Sequence, residues 1–200
     1  IGLLCAVFLT FYCPKKLYAF VKPVVGLLAG IPSIVYGFFG LVIIVPIIQN
    51  VFGTGGKGVL TASILLGIMI LPTIIEVSES SLRAVPKQYF EGSLALGATK
   101  ERSIFKAVLV GGKSGVMSAV VLGLGRAIGE TMAVIMVAGN QPAIPKSVLS
   151  GVRTLTSNIV LEMAYAADLH REALIATAVV LFVFILIINI CLSMVKRRES

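Results

Sequence analysis

The sequence has 200 residues and a formal net charge of +8, with 58% hydrophobic and only 13% charged residues. Soluble domains are about 45–50% apolar and about 25% charged, so this composition excludes an ordinary soluble domain and a disordered chain. It is typical of a membrane protein with several spans. The three cysteines are odd in number and lack Cys-x-x-Cys spacing, which excludes a disulfide scaffold and provides no metal-ligand pattern.

Five apolar segments predict an all-α bundle of transmembrane helices. The first, residues 1–13, is shorter than the roughly 20 residues that a spanning helix needs, and no initiator Met precedes it. We therefore expect a partial span in an N-terminally truncated chain. Proline interrupts the second segment, so that helix needs neighbours to satisfy its freed carbonyls. The second to fifth predicted spans are, in order, residues 24–52, 59–75, 116–138 and 173–195.

The basic residues between these spans predict the orientation of the chain. Three segments that alternate correctly to share one side hold twelve of the 17 basic residues. The opposite side holds four of them, Lys57, Lys146, Arg153 and Arg171. Because Lys and Arg are enriched in cytoplasmic loops, we expect the loop of residues 76–113 and the C-terminus to be cytoplasmic.

The loop of residues 76–113 is long and has helix-compatible sequence on both sides of Gly97. Thr99 is placed to cap a second helix, with Glu101 favourable in its first turn. A helix, glycine turn and helix outside the bilayer could fill a groove on another protein or lie on the lipid surface. The small residues of positions 91–99 favour docking on a protein.

The same loop resembles the signature loop of the permeases of ABC importers. That signature is Glu-Ala-Ala, three residues, Gly, nine residues, Ile, one residue and Leu-Pro. This chain keeps its first glutamate, the glycine six residues later and the late leucine as Glu91, Gly97 and Leu109. It departs from the signature at Gly92, Ser93, Ala107 and Val110.

Two further motifs are similar to phosphate importers within this family: residues 28–40 (LAGIPSIVYGFFG) and residues 125–134 (GRAIGETMAV). The resemblance implies a single permease domain over residues 1–200, with a MetI-like, type I importer fold. It implies a second permease subunit, a pair of cytoplasmic ATPase subunits and an extracytoplasmic phosphate-binding protein, all at the inner membrane. Residues that would contact the ATPase are Glu91, Gly97, Ala98 and Thr99.

The predicted fourth span contains two charged residues, Arg126 and Glu130. A charge at the centre of a bilayer costs about 2.5–3.5 kcal/mol, so such residues face the protein interior or a water-filled path. Spacing of four residues on one helix places both side chains on one face, close enough to pair. Arg126 either lines a path for an oxyanion, whose geometry its guanidinium suits, or forms a structural ion pair.

Other functions remain as alternatives at this point. Sulfate, molybdate or phosphonate could replace phosphate as the substrate, and an ion channel or ion-coupled secondary transporter could use the charged pair. A non-transporting membrane scaffold is a third class, and a buried charge pair disfavours it. Residues 111–114 (GGKS) resemble half of a phosphate-binding P-loop, but position 107 is alanine rather than the required glycine. We therefore expect no catalytic residues, no metal and no cofactor in this chain, with ATP hydrolysis in a partner.

Overall fold

The structure is a computed structural model that describes residues 1–198, with side chains described as far as Met194. The last two residues of the predicted cytoplasmic C-terminus, Glu199 and Ser200, lie outside the described residues. The helices are α1 (Gly2–Phe11), α2 (Lys15–Gly30), α3 (Ser33–Phe39), π1 (Gly40–Ile44), α4 (Val45–Phe52), α5 (Val59–Ala84), α6 (Lys87–Ala95), α7 (Lys100–Ser103), π2 (Ile104–Val108), α8 (Leu109–Gly111), α9 (Lys113–Ile128), α10 (Met132–Val137), α11 (Leu155–Glu162) and α12 (Asp168–Arg198). The predicted all-α fold is confirmed.

Within the part of the chain that the structure describes, three continuous helical segments are long and apolar enough to cross a membrane: Ser33–Phe52, Val59–Ala84 and Asp168–Met194. A fourth candidate is the pair Lys100–Gly111 and Lys113–Ile128, which bends by 71°. The apolar helix α1 has 10 residues.

The second and fourth predicted spans are both interrupted. Residues 24–52 are divided at Ile31 and Pro32, where α2 has ended and α3 begins. Proline lacks an N–H and disfavours helical backbone at the residue before it, which explains the division. Residues 116–138 are divided at Gly129, between α9 and α10.

The helix that contains the third predicted span, α5, continues beyond Ile75 to Ala84. Its 26 residues measure about 39 Å at 1.5 Å per residue, against a hydrocarbon thickness of about 30 Å. The last turns of α5 therefore carry charged residues that the sequence pattern assigned to a loop, and the segment between α5 and α6 shortens to Val85 and Pro86.

The chain divides into two compact units. Unit 1 contains residues 1–30, 70–124 and the segment from 189 onward. Its apolar core joins residues of α1, the end of α5, π2 and α9, which are Ala6, Val7, Leu82, Ile104, Val108 and Val116. Phe90 of α6 packs against this core.

Unit 2 contains residues 31–69 and 125–188. Its core joins α3, π1, α4, the first half of α5 and α10, and includes Tyr36, Leu65, Met69, Ala133 and Val137. Helices α3 and α10 are in close contact at Gly37, where an added Cβ would lie 2.9 Å from the Ala133 Cα. A larger residue at position 37 would separate the two helices, because that contact is with backbone.

Candidate functional site

The helix break at Gly129, Glu130 and Thr131 fixes the position of the two predicted substrate-path residues. Arg126 lies in the last turn of α9, and Glu130 lies outside any helix. The expectation that both residues share one face of a continuous helix is therefore wrong. The glycine followed by polar residues ends α9 and provides capping groups for α10.

Glu130 is oriented by the helix that follows it. Its Oε1 accepts a hydrogen bond of 3.0 Å from the backbone N–H of Ala133, in the first turn of α10. A carboxylate at a helix N-terminus is stabilised by the helix dipole and by otherwise unpaired N–H groups. Both Arg126 and Glu130 are half-buried within this chain. The pairing of Arg126 with Glu130 stays a prediction.

Arg126 also connects the two motifs that resemble phosphate importers. Its charge interacts electrostatically with the Tyr36 phenol, and Tyr36 belongs to the first motif. Next to Tyr36, a Cβ at Gly37 would lie 2.9 Å from the Cα of Ala133, which belongs to the second motif. Residues from positions 28–40 and 125–134 therefore meet in one region of unit 2.

A cluster of hydroxyl groups lies at the start of α11, next to this region. The Thr154 hydroxyl accepts a hydrogen bond from the backbone N–H of Ser157 at 3.2 Å, which caps the helix. The Thr156 hydroxyl donates to the carbonyl of Glu130 at 3.5 Å. These contacts connect α11 to the helix break. The Thr154 hydroxyl caps α11, and the Thr156 hydroxyl positions the start of α11 against the break.

The predicted helix, glycine turn and helix are present as α6, residues 96–99 and α7, together called the surface helix pair (residues 87–103). Gly97 has φ of +85°, a backbone conformation that glycine adopts at little cost. The Gly97 N–H donates to the Leu94 carbonyl at 2.9 Å, and the Ala98 N–H donates to the Ser93 carbonyl at 3.2 Å. This is the hydrogen-bond pattern of a Schellman helix end.

The Thr99 hydroxyl accepts from the Arg102 N–H at 3.3 Å, so the predicted cap of α7 is confirmed. Most residues of the surface helix pair are exposed. None of the α6 residues is buried, and Leu96 is 91% exposed. Glu91, Gly97 and Thr99 are also exposed, while Ala98 is half-buried.

Sequence analysis missed a buried carboxylate in the last turns of α5. The Glu79 residue is 1% exposed, and its oxygens accept from Tyr18 Oη at 2.8 Å, Lys22 Nζ at 2.6 Å and Arg83 Nε at 2.6 Å. The hydrogen bond to Glu79, followed by burial, raises the pKa of the Tyr18 phenol. Only the Arg83 spacing of four residues was visible in the sequence, because the α2 partners lie about sixty positions away.

A second network that the sequence did not reveal holds the segment between α10 and α11. Arg153 donates to the Asn140 carbonyl at 3.1 Å and forms an ion pair of 2.7 Å with Glu162. Asn140 has φ of +52°. The side chain of Arg153 therefore connects the start of this segment to the end of α11.

The family of binding-protein-dependent transport system inner membrane components matches residues 1–200 of the chain. A probable ABC transporter permease protein of Bacillus subtilis, YqgH, is 40% identical over 94% of this chain and 63% of the relative. The phosphate transport system permease protein PstC of Mesorhizobium japonicum is 35% identical over 100% of this chain and 68% of the relative. PstC of Pasteurella multocida is 36% identical over 98% of this chain and 68% of the relative. The chain thus spans about two thirds of the length of these curated relatives.

Solved structures of the MetNI methionine ABC transporter in inward-facing conformations have the same fold. One superposes with a TM-score of 0.77 at 23% identity and covers 100% of this chain and 86% of the other. The predicted MetI-like fold and the predicted resemblance to permeases of phosphate importers are both confirmed. The chain belongs to the family of binding-protein-dependent transport system inner membrane components.

Proposed function

We propose that this chain is the transmembrane permease subunit of an ATP-driven phosphate importer. The observation that carries the proposal is the meeting of its two motifs in unit 2, where Gly37 packs on Ala133 and Arg126 interacts with Tyr36. Both motifs resemble those of phosphate importers, and the PstC relatives are phosphate transport system permease proteins by name.

Arg126 is proposed to attract the anion on its path. A guanidinium stays charged and offers N–H groups in a fork that fits an oxyanion. Glu130, held at the start of α10 by the Ala133 N–H, would limit the net positive charge near Arg126. An anion that binds weakly can leave again, which conduction requires.

The surface helix pair is proposed to couple the permease to a cytoplasmic ATPase. Exposed Leu96 gives it an apolar contact, and exposed Glu91 and Thr99 give it polar ones. Gly97 sets the angle between α6 and α7 through its positive φ, while Ala98 follows it in the turn. A short helix presented in this way fits a groove on a partner protein.

The proposed complex contains a second permease subunit, two ATPase subunits and an extracytoplasmic phosphate-binding protein, with membrane lipid around the spans. We propose that the complex lies in the inner membrane and, from the bias of basic residues, that the surface helix pair and the C-terminus are cytoplasmic. ATP hydrolysis is assigned to the ATPase subunits, and no catalytic residue, metal or cofactor is assigned to this chain.

The test is uptake of radiolabelled phosphate by proteoliposomes that hold the whole complex, with Arg126→Gln and the double variant Arg126→Gln with Glu130→Gln. Glutamine at position 130 keeps an oxygen that can accept from the Ala133 N–H, so the double variant removes charge while preserving the cap of α10. If Arg126 attracts the anion, both variants assemble and neither takes up phosphate.

Wild-type uptake by the double variant would show that the pair is only structural, since replacing an ion pair by neutral groups is often tolerated. Competition by sulfate, molybdate and phosphonate identifies which oxyanion the complex prefers. Uptake that persists without ATP and follows an ion gradient would favour a secondary transporter or channel instead.

A further inference from the structure

Glu79 is the centre of a polar cluster in unit 1, which we define as Glu79 with Tyr18, Lys22 and Arg83. Tyr18 and Lys22 both come from α2, four residues apart, so they lie on the same face of that helix. Arg83 comes from the last turn of α5 and also lies over the Tyr18 ring, with its Cζ 4.6 Å from the ring centroid. One carboxylate therefore joins α2 to the end of α5.

The burial of Glu79 makes the cluster sensitive to small changes in position. The Glu79 side chain is 2% exposed, whereas those of Lys22 and Arg83 are 35% and 46% exposed. A buried carboxylate must keep its partners, because an unpaired buried charge is far more costly than an exposed one. The two cations can reach solvent on their long side chains. Glu79 is thus the member that constrains the others.

Contacts continue from this cluster to the surface helix pair through the end of α1. Arg83 Nη2 donates to the Leu9 carbonyl at 3.4 Å. Two residues further on, the Phe11 ring stacks on Phe90 of α6 with 6.0 Å between centroids. The Phe11 carbonyl accepts from Lys100 Nζ of α7 at 3.1 Å. Both helices of the surface pair therefore contact the end of α1, which contacts Arg83.

We propose that Glu79 is a positioning residue for energy coupling, which holds α2 against the end of α5 so that movement of the surface helix pair is carried to α1 and α2. This inference rests on the proposed function, because it assigns the surface helix pair to the ATPase. A chain of packed and hydrogen-bonded groups transmits a displacement only where its members keep a defined arrangement, and Glu79 is the group that defines it here.

The test compares Glu79→Gln with Glu76→Gln, a carboxylate on the same helix that lies outside the cluster. The whole complex is reconstituted in proteoliposomes, and phosphate transported per ATP hydrolysed is measured. A variant that is only less stable loses uptake and ATP hydrolysis together, so its ratio stays constant. For Glu79→Gln we expect continued ATP hydrolysis with a ratio lowered about fivefold or more, and for Glu76→Gln the wild-type ratio.

A second readout does not depend on the substrate. Cys13 lies between α1 and α2 and lines a cavity of about 240 Å³ together with Tyr18 and Arg83. With Cys5 and Cys191 replaced by serine, the rate of maleimide labelling of Cys13 is measured with and without nucleotide. We expect the wild-type rate to change on nucleotide binding and the Glu79→Gln rate to stay constant.

Lys22→Met provides the same test if Glu79→Gln fails to assemble, because Lys22 is partly exposed and Glu79 keeps its hydrogen bonds from Tyr18 and Arg83. A wild-type ratio together with a wild-type labelling response in the assembled Glu79 or Lys22 variant would overturn the inference. So would a wild-type labelling rate that nucleotide leaves unchanged. If wild-type complex takes up no phosphate but the labelling response is lost in the variant, the proposed substrate fails and the positioning role stands.

Discussion

Replacing Gly97 by alanine isolates the contribution of one backbone conformation to coupling. An added Cβ at this position meets nothing within 4 Å, so there is no steric clash with the rest of the chain. The whole effect comes from φ of +85°, which costs an L-residue about 1–2 kcal/mol in the left-handed region. That free energy corresponds to a factor of about 5–30 in the population of the turn.

Gly92→Ala is the matched control for this prediction. Its Cβ also meets nothing within 4 Å, but Gly92 lies inside α6, where alanine is favoured by about 0.5–1 kcal/mol over glycine. The signature of the family has alanine at this place. Both substitutions therefore add a methyl group to the surface helix pair, but Gly97→Ala is expected to destabilise it and Gly92→Ala to stabilise it.

The assay is phosphate uptake per ATP hydrolysed, supported by hydrogen exchange of the amides in α6 and by thermal unfolding of the complex. We expect Gly97→Ala to speed exchange at the end of α6 and lower the uptake ratio, with little change in the melting temperature because the turn is exposed. Gly97→Val should be more severe, since a β-branched residue is rarer still at positive φ. Equal ratios for Gly97→Ala and Gly92→Ala would refute the role of the backbone conformation.

Two other predictions concern packing and topology. Gly37→Ala should separate α3 from α10 and lower the melting temperature by several degrees, because its Cβ would lie 2.9 Å from the Ala133 Cα. Gly30→Ala is the control: its Cβ has open space around it, so the melting temperature should change little. Single cysteines at exposed Glu101 and Ser147, in a chain without its native cysteines, should be labelled from opposite sides of the membrane. Labelling of both from one side would contradict the orientation that we infer from the basic residues.

Features that depend on neighbouring residues were predictable from the sequence. The turn at Gly97 and the cap at Thr99 were both identified, because the hydrogen bonds of a helix end join residues three to five positions apart. The helix break after Gly129 is also a local feature, and the polar residues there could have indicated it. It was missed because apolar residues lie on both sides, and hydropathy averaged over a window does not detect an interruption of three residues.

Features that depend on distant residues were not predictable. The hydropathy of α5 falls at Glu76, which predicted the end of the span there, yet the helix continues because Lys22 and Tyr18 of α2 satisfy Glu79. Arg153 was counted only as a basic residue between two predicted spans, whereas its contacts with Asn140 and Glu162 hold the segment between α10 and α11. A single sequence contains no sign of which distant charges will meet.

The two π-helical turns make the helices around them sensitive to the number of residues they contain. In each, the N–H of one residue donates to the carbonyl five positions earlier: Val45 to Gly40, and Leu109 to Ile104. Compared with an α-helix, such a turn accommodates one additional residue, and each residue of an α-helix corresponds to a rotation of about 100°. Deleting one residue from Ile104–Val108 would allow regular α-helix there, at the cost of rotating every preceding residue by that angle. The exposed face of α7 and the residues of α8 are thus aligned by one surplus residue, so length at this point matters as much as residue type.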